Sequence, residues 1–383
     1  MKKIIRTATI ALSLDFLLKG QLSFLNRYYD VIAISGDDCH LQEVHAREGV
    51  KTLPVEMHRS ISVVKDLISL WKLYLVFKKE KPAIVHSITP KAGLLSMVAA
   101  KLAGVPIRMH TFTGLIFPSR TGIMKHLLIV MDKTLCYCAT HIYPEGEGVK
   151  NDLEKYHITK KKLKVIANGN VNGIDLSYFD PRLISENERD SLKQILGIKA
   201  TDFVFIFVGR LVGDKGINEL ISAFEQLSSE NKNVKLLLVG PFESVLDPLK
   251  SETLQDITTN ENIISVGFQK DIRPYLCISH CFVFPSYREG FPNVVMQAGA
   301  MGLPCIVTDI NGCNEIIKEG VNGIIIPSKD IVSLYNGMIK IISEPDFKMQ
   351  LISKSREMIS NRFSQDIVWK GILNEYSKAE NDV

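Results

Sequence analysis

Residues 203–224, FVFIFVGRLVGDKGINELISAF, hold the pattern on which the fold turns. Six consecutive aromatic or aliphatic residues, 203–208, read as a strand buried on both faces. A glycine-bounded loop, 209–216, follows, and INELISAF then carries apolar residues at helical spacing. The chain downstream repeats the grammar: VKLLLVG, IISVGF, CFVFPS and PCIVTD read as strands, with NVVMQAGAMG a helix between the last two. Upstream, KKIIRTATI, YDVIAISG, AIVHSI, PIRMHTF and THIYPEG are strand-like. KAGLLSMVAAKLAGV is helical and stops at Gly104, with Pro106 just beyond. Alternating strands and helices predict an α/β protein with parallel sheets covered on both faces.

The 383 residues suit two domains. Between the halves lies ANGNVNGIDLSYFDP, rich in Gly and Asn and poor in pattern, which suits a hinge. The expected domains are 1–172 and 173–383, with a last helix at about 365–381 packing back on the first. Two such sheets facing each other would leave a cleft, and open α/β sheets bind ligands beyond the carboxyl ends of their strands. Apolar residues at 46% and charged residues at 23% exclude whole-chain disorder and a disulfide-rich scaffold. A net charge of +4 does not mark a nucleic-acid partner. Seven cysteines without CxxC spacing read as buried thiols and give no support to a zinc site. The opening MKKIIRTATIALSLDFLL imitates a secretory signal, but Asp15 interrupts it and no small-x-small site follows. It reads as the first strand and turn of a cytoplasmic domain, and no apolar run reaches bilayer-spanning length.

Two loops carry the chemistry. In GRLVGDKG, 209–216, Arg210 and Lys215 project between a strand end and a helix N-terminus, an arrangement that suits phosphate. It is not a Walker loop, and no GxGxxG follows a strand, which disfavours a nicotinamide cofactor. In SYREGFPNVVMQAGAMG, 286–302, Glu289 and Gly290 precede a helix opened by Pro292, and Gln297 lies within it. A spacing of this kind suits the two ends of a sugar nucleotide. The N–H groups of Phe291, Asn293 and Val294 are then placed to donate to its phosphates.

GRLVGDKGINELISAF, VGFQKDIRPYL, SYREGFPNVVMQAGAMGLPCIVTD and NGCNEIIKEGVNGIII together resemble the donor domain of retaining glycosyltransferases of family 4 (glycosyl transferases group 1). HSITPKAGLLSMVAAKLAGVPIRMHTFTGL resembles members that build O-antigen, capsule or related polysaccharides. The resemblance implies the GT-B fold, two Rossmann-like domains facing a cleft. It also implies a nucleotide-sugar donor (UDP-activated) and a glycan or polyprenyl-diphosphate-linked acceptor. Arg210 and Lys215 would grip the donor diphosphate, Gly209 belongs to their loop, and Glu289 would lie beside the sugar. The family's second glutamate, which holds the ribose, is Gln297 here. Gly267, Phe268 and Asp271 would border the base, and His110 would face the donor sugar, with Thr111, Thr113 and Gly114 shaping the acceptor pocket.

The chain has no Asp-x-Asp. Fixed cations are therefore expected to neutralise the leaving diphosphate, with no metal and no cofactor. Rival readings are a GT-B sugar-nucleotide epimerase, which needs acid and base groups not assignable here, and a non-catalytic sugar-nucleotide-binding protein. Segments 67–81 and 123–135 are apolar with interspersed basic residues. They read either as core-facing helices with solvated lysines or as a face resting on the inner membrane leaflet.

Overall fold

A computed structural model describes residues 1–58, 62–243 and 247–382. The chain forms two compact units, Met1–Gly173 joined by the chain from Gln365 onward, and Ile174–Ser364. The division falls one residue later than the sequence boundary. Asn170 Oδ1 accepts the N–H groups of Asn172 (3.0 Å) and Gly173 (2.7 Å), holding both to the first unit, while the Ile174 N–H goes to Phe363 O (2.7 Å) in the second.

The first unit has strands β1 (Lys3–Thr7), β2 (Asp30–Ser35), β3 (Lys51–Pro54), β4 (Ile84–Ile88), β5 (Ile107–Phe112) and β6 (His141–Pro144). All pair in parallel, in the order β3-β2-β1-β4-β5-β6. Its helices are α1 (Ala11–Leu17), α2 (Gln21–Leu25), α3 (Cys39–Glu48), α4 (Val63–Glu80), α5 (Pro90–Ala103), α6 (Gly122–Cys138) and α7 (Glu147–Lys155). The turn expected after the first strand is instead α1 and α2. Asp15, the residue that breaks the signal-like run, is buried there and accepts hydrogen bonds from Arg47 and His40.

The second unit has strands β7 (Phe203–Val208), β8 (Val234–Val239), β9 (Ile263–Ser265), β10 (Cys281–Phe284), β11 (Cys305–Thr308) and β12 (Gly323–Ile326). They are parallel in the order β12-β11-β10-β7-β8-β9. Helices α8 (Glu186–Ile195), α9 (Ile217–Glu230), α10 (Ser251–Thr259), α11 (Arg273–Cys277), α12 (Asn293–Ala300), α13 (Cys313–Ile316), α14 (Ile331–Ser343) and α15 (Pro345–Phe363) flank them. Phe205 and Phe207, on one face of β7, and Val204 and Ile206, on the other, are all fully buried, as a doubly covered central strand requires.

The last helix, α16 (Gln365–Asn381), belongs to the first unit. Its Tyr376 hydroxyl accepts from Nη1 of the fully buried Arg6 on β1 at 2.6 Å, and His86 Nδ1 on β4 lies 2.8 Å from the same nitrogen. Five cysteines are buried, as expected, but Cys277 is half-buried and Cys39, at the start of α3, is exposed. Both sheets have the doubly wound order, reversing direction between β1 and β4 in one and between β7 and β10 in the other. That reversal separates the loops at the strands' carboxyl ends and opens a crevice for ligand.

Candidate active site

In the second unit the loops leaving β7 and β10 flank the reversal point, and they carry Lys215 and Glu289. The Lys215 ammonium donates to Glu289 Oε1, and Ser286 Oγ donates to the same oxygen at 2.9 Å. Both charged side chains keep less than a fifth of their surface exposed. Lys215 Nζ also lies 5.5 Å from the centroid of the Phe284 ring at the end of β10. Gly216, next in the loop, has φ +71°, and a Cβ there would sit 2.1 Å from Pro285 O. The two loops therefore touch backbone to backbone, and this contact fixes where Lys215 points.

Arg210 sits on the same loop, half-exposed, with Nη1 donating to Glu243 Oε2 at 2.5 Å. Asp247 braces the loop from beyond β8, its Oδ2 accepting the Asp214 N–H and its carbonyl accepting the Gly213 N–H at 3.2 Å. Asp214 in turn accepts from Arg288 at 3.0 Å. Gly209 ends β7, and a Cβ on Gly240, at the end of β8, would lie 1.7 Å from Gly209 O. The Gly240 N–H donates to Gly267 O at 2.8 Å. Glycine at the ends of β7 and β8 is thus what lets these two backbones touch, and only at Gly267 is the place of a Cβ open.

Gly290 lies in the turn between β10 and α12, and Phe291 and Pro292 are buried, Phe291 against Phe363 at 5.4 Å. Pro292 is the N-cap of α12 and makes no side-chain hydrogen bond to the first turn, which holds Asn293 and Val294. Gln297 is half-exposed on the second turn. Phe268 is 69% exposed on the loop after β9. Asp271 is paired within its own segment: Arg273 donates to both of its carboxylate oxygens, at 2.9 and 2.6 Å. That pairing holds its carboxyl below the usual range and makes it a brace for α11.

In the first unit, His110 does not present its ring to an open surface. It is 1% exposed, lies beneath α5 and meets Ser87 Oγ through Nδ1 at 2.8 Å. A Cβ on Gly93 of α5 would come within 2.4 Å of the imidazole, so that glycine makes the room it occupies. Burial pushes the His110 pKa down to about 3, and the ring is neutral. Thr111 is also buried, its hydroxyl 2.8 Å from His86 Nε2, and is taken up internally. Thr113 and Gly114 remain accessible after β5. At this sheet's reversal point Thr9 Oγ1 and Thr89 Oγ1 are 2.8 Å apart.

The sequence reading missed Gly240, Glu243, Asp247 and Ser286. Glycine at the end of VKLLLVG was the one available signal, since the others are recognised only through contacts between loops. Among the described residues one trio, Asp15, His40 and Glu43, brings ligand atoms close enough to hold a metal. Arg47 already donates to that Asp15, which competes with any cation there.

Two doubly wound parallel sheets, with a lysine and a carboxylate joined at the reversal point of the second, fit the GT-B fold. Residues 188–358 match the model of the glycosyl transferases group 1, residues 24–171 match that of glycosyltransferase family 4, and the chain belongs to this family. It is 33% identical to the capsular polysaccharide biosynthesis glycosyltransferase CapM of Staphylococcus aureus, over 98% of this chain and 97% of that one. It is also 33% identical, over 80% of this chain and 78% of the relative, to an Escherichia coli UDP-Gal:alpha-D-GlcNAc-diphosphoundecaprenol alpha-1,3-galactosyltransferase. Among solved structures, a glycosyltransferase of Rickettsia africae superimposes with a TM-score of 0.83 at 19% identity, over 100% of this chain and 99% of that one. HepE of Anabaena in complex with UDP gives 0.82 at 18% identity, over 99% and 100%. The protein is a glycosyltransferase of the kind that builds surface polysaccharides.

Proposed function

We propose that this enzyme moves a hexose or N-acetylhexosamine from a UDP-sugar to a polyprenyl-diphosphate-linked glycan, with retention at the anomeric carbon and without a metal. The observation that carries the reading is the Lys215–Glu289 pair at the reversal point, with Arg210 on the same loop. The S. aureus and E. coli relatives support the choice of substrates, the latter being named for transfer from UDP-Gal to a diphosphoundecaprenol-linked sugar.

In this reading the donor diphosphate lies over the carboxyl ends of β7 and β10, between the Arg210 and Lys215 cations and the first turn of α12. Those groups stabilise the charge that develops as the bond from the sugar to phosphate breaks. The acceptor oxygen bonds to the anomeric carbon on the face the phosphate leaves, and its proton passes to the departing phosphate oxygen. Glu289 holds Lys215 in place and lies beside the sugar, Gln297 bonds the ribose, and Phe268 borders the base. His110, buried and neutral, positions the end of β5 rather than exchanging protons. The first unit takes the acceptor through the loop at Thr113 and Gly114, on the cytoplasmic face of the membrane that carries it.

The test is transfer from a panel of UDP-sugars to a polyprenyl-diphosphate-linked glycan, with the product's anomeric configuration read by NMR. Turnover with retention is expected. Inversion, epimerisation of the donor without transfer, or binding without turnover would each overturn the reading.

A further inference from the structure

The C-terminal end of α15 carries Arg362 and Phe363, and both reach loops that line the site in the second unit. Phe363 is fully buried, and its ring meets that of Phe291 edge to face, with centroids 5.4 Å apart. Phe291 stands in the turn between Glu289 and α12, and an aromatic pair of this kind sets both its distance and its tilt. Arg362 acts one loop further on. Its Nη1 and Nη2 donate to the carbonyls of Ile316 (3.2 Å) and Glu315 (2.5 Å), at the end of the one-turn helix α13. A helix that short leaves its last carbonyls to outside donors, and the planar fork serves two at once. Glu315 Oε1 in turn accepts the Gly312 N–H at 3.2 Å, at the start of the same helix.

Gly312 is where this loop meets the 289–292 turn. Its φ is +77°, and a Cβ there would lie 2.5 Å from Gly290 O and 2.7 Å from both Phe291 Cα and Pro292 Cδ. Only glycine fits that place. The turn is therefore held on two sides, by bare backbone at Gly312 and by the Phe363 ring, and both supports lead back to α15. One face of α15 also holds α12: Arg356 donates to Ala300 O, and a Cβ on Gly299 would lie 2.7 Å from Ile359 Cγ1. The same Arg356 donates to Phe179 O (2.6 Å) and Leu176 O (3.0 Å), just after the chain enters the second unit. At the entry itself, buried Ile174 gives its N–H to Phe363 O at 2.7 Å and pairs with Ser364 as a parallel bridge. Phe363 thus touches the 289–292 turn with its ring and, with its carbonyl, the point where the chain enters the unit.

We propose that Arg362 and Phe363 are positioning residues for the sugar-nucleotide donor: they set the 289–292 turn against α15, and a donor held by that turn steadies the chain at Ile174. They act through Gly312 and Phe291 rather than by touching the donor. A turn this short cannot hold itself to the fraction of an ångström that a preorganised site needs, so its supports set how well it binds. The proposal rests on the reading of this turn as part of the donor site.

The test measures UDP affinity of the full chain by calorimetry, with donor KM and kcat from the transfer assay. Phe363→Leu keeps an apolar side chain in the space but loses the ring, and should raise UDP Kd and donor KM about two- to tenfold, the scale of one aromatic pair. A purely structural part would lower the active fraction, and so kcat, while leaving KM where it was. Arg362→Lys keeps the charge without the fork and should shift KM in the same direction by less. Phe291→Leu combined with Phe363→Leu should cost no more than the worse single variant, because both remove one contact. Hydrogen exchange adds a reading on the wild-type chain: UDP should slow exchange of the peptide that contains the Ile174 N–H. That slowing should be lost in Phe363→Leu at saturating UDP. If Phe363→Leu does not fold, Arg362→Lys and the wild-type exchange decide. Unchanged Kd and KM in the folded variants, additive losses in the double variant, or exchange at Ile174 indifferent to UDP would each overturn the proposal. With UDP bound normally by the wild type, those results defeat the positioning alone. A wild-type chain that binds neither UDP nor any UDP-sugar defeats the proposed function, and the positioning with it.

Discussion

Lys215 and Glu289 form one hydrogen-bonded ion pair across the two loops at the reversal point of the second sheet, and Ser286 shares the carboxylate. The pair is largely withdrawn from water, so each partner holds the other where a diphosphate would meet the cation. Lys215→Ala should lower kcat by roughly 10²–10³-fold, the scale of losing one preorganised donor to a developing charge. Glu289→Gln keeps the shape but releases the ammonium, and kcat should fall more than donor affinity. Steady-state kinetics with donor Kd by calorimetry checks both, and wild-type kcat/KM in a folded Lys215→Ala enzyme would remove lysine from the phosphate site.

Arg210 and Lys215 are the cations that replace a metal in the proposed chemistry. EDTA should leave initial rates within about twofold, because preorganised side-chain charge does not dissociate. Loss of activity restored by Mn²⁺ would show that an ion, not the lysine, carries the leaving charge.

How far the sequence could be read depends on the range of the interaction. The strand at 203–208 and the loop after it declared themselves because a doubly buried strand leaves a continuous apolar run. Lys215 and Glu289 were readable for the same reason, each standing just beyond such a run. Glu243 and Asp247 were not, because their partners on the 209–216 loop are set by the pairing of β7 with β8. The burial of His110 depends on Gly93, on another element, and nothing local to HTFTG announces it. For α4 and α6, periodicity reveals an apolar stripe but not which stripe the sheet covers, and two stripes of similar character defeat it.

Gln297 stands where the sequence resemblance implies a glutamate, and it has a half-exposed amide on the second turn of α12. An amide can both accept and donate to ribose hydroxyls. Gln297→Ala should cost ~1–3 kcal/mol of donor affinity, the scale of a lost partner in a closed site. Gln297→Glu should change it little, since a carboxylate accepts hydroxyl donors well. Calorimetric titration with UDP decides between them, and a Gln297→Ala enzyme that binds normally but has lost kcat places the residue in the chemistry instead.

His110 titrates in the unfolded chain near 6.5, but burial pushes it down to about 3 in the folded one. His86, fully buried beside the Arg6 cation, is held low in the same direction, as is His280 at the end of the second sheet. A base whose folded pKa is depressed binds fewer protons folded than unfolded, so stability is lost as pH falls below the unfolded value. For each such histidine the loss approaches ~1.4 kcal/mol per pH unit well below 6.5 and continues toward the folded pKa. Urea unfolding between pH 7.5 and 5 should therefore show stability falling with acid, with a slope of several protons. His110→Ala creates a cavity and should lower stability at every pH, by about 2–3 kcal/mol. The decisive reading is its slope, which should be shallower than wild type by about one proton. Gly93→Ala, which forces the ring out of its space, should destabilise by about 1–3 kcal/mol and reduce the slope as well. An unchanged slope in His110→Ala would mean that the imidazole titrates normally in the folded protein and could take part in proton transfer.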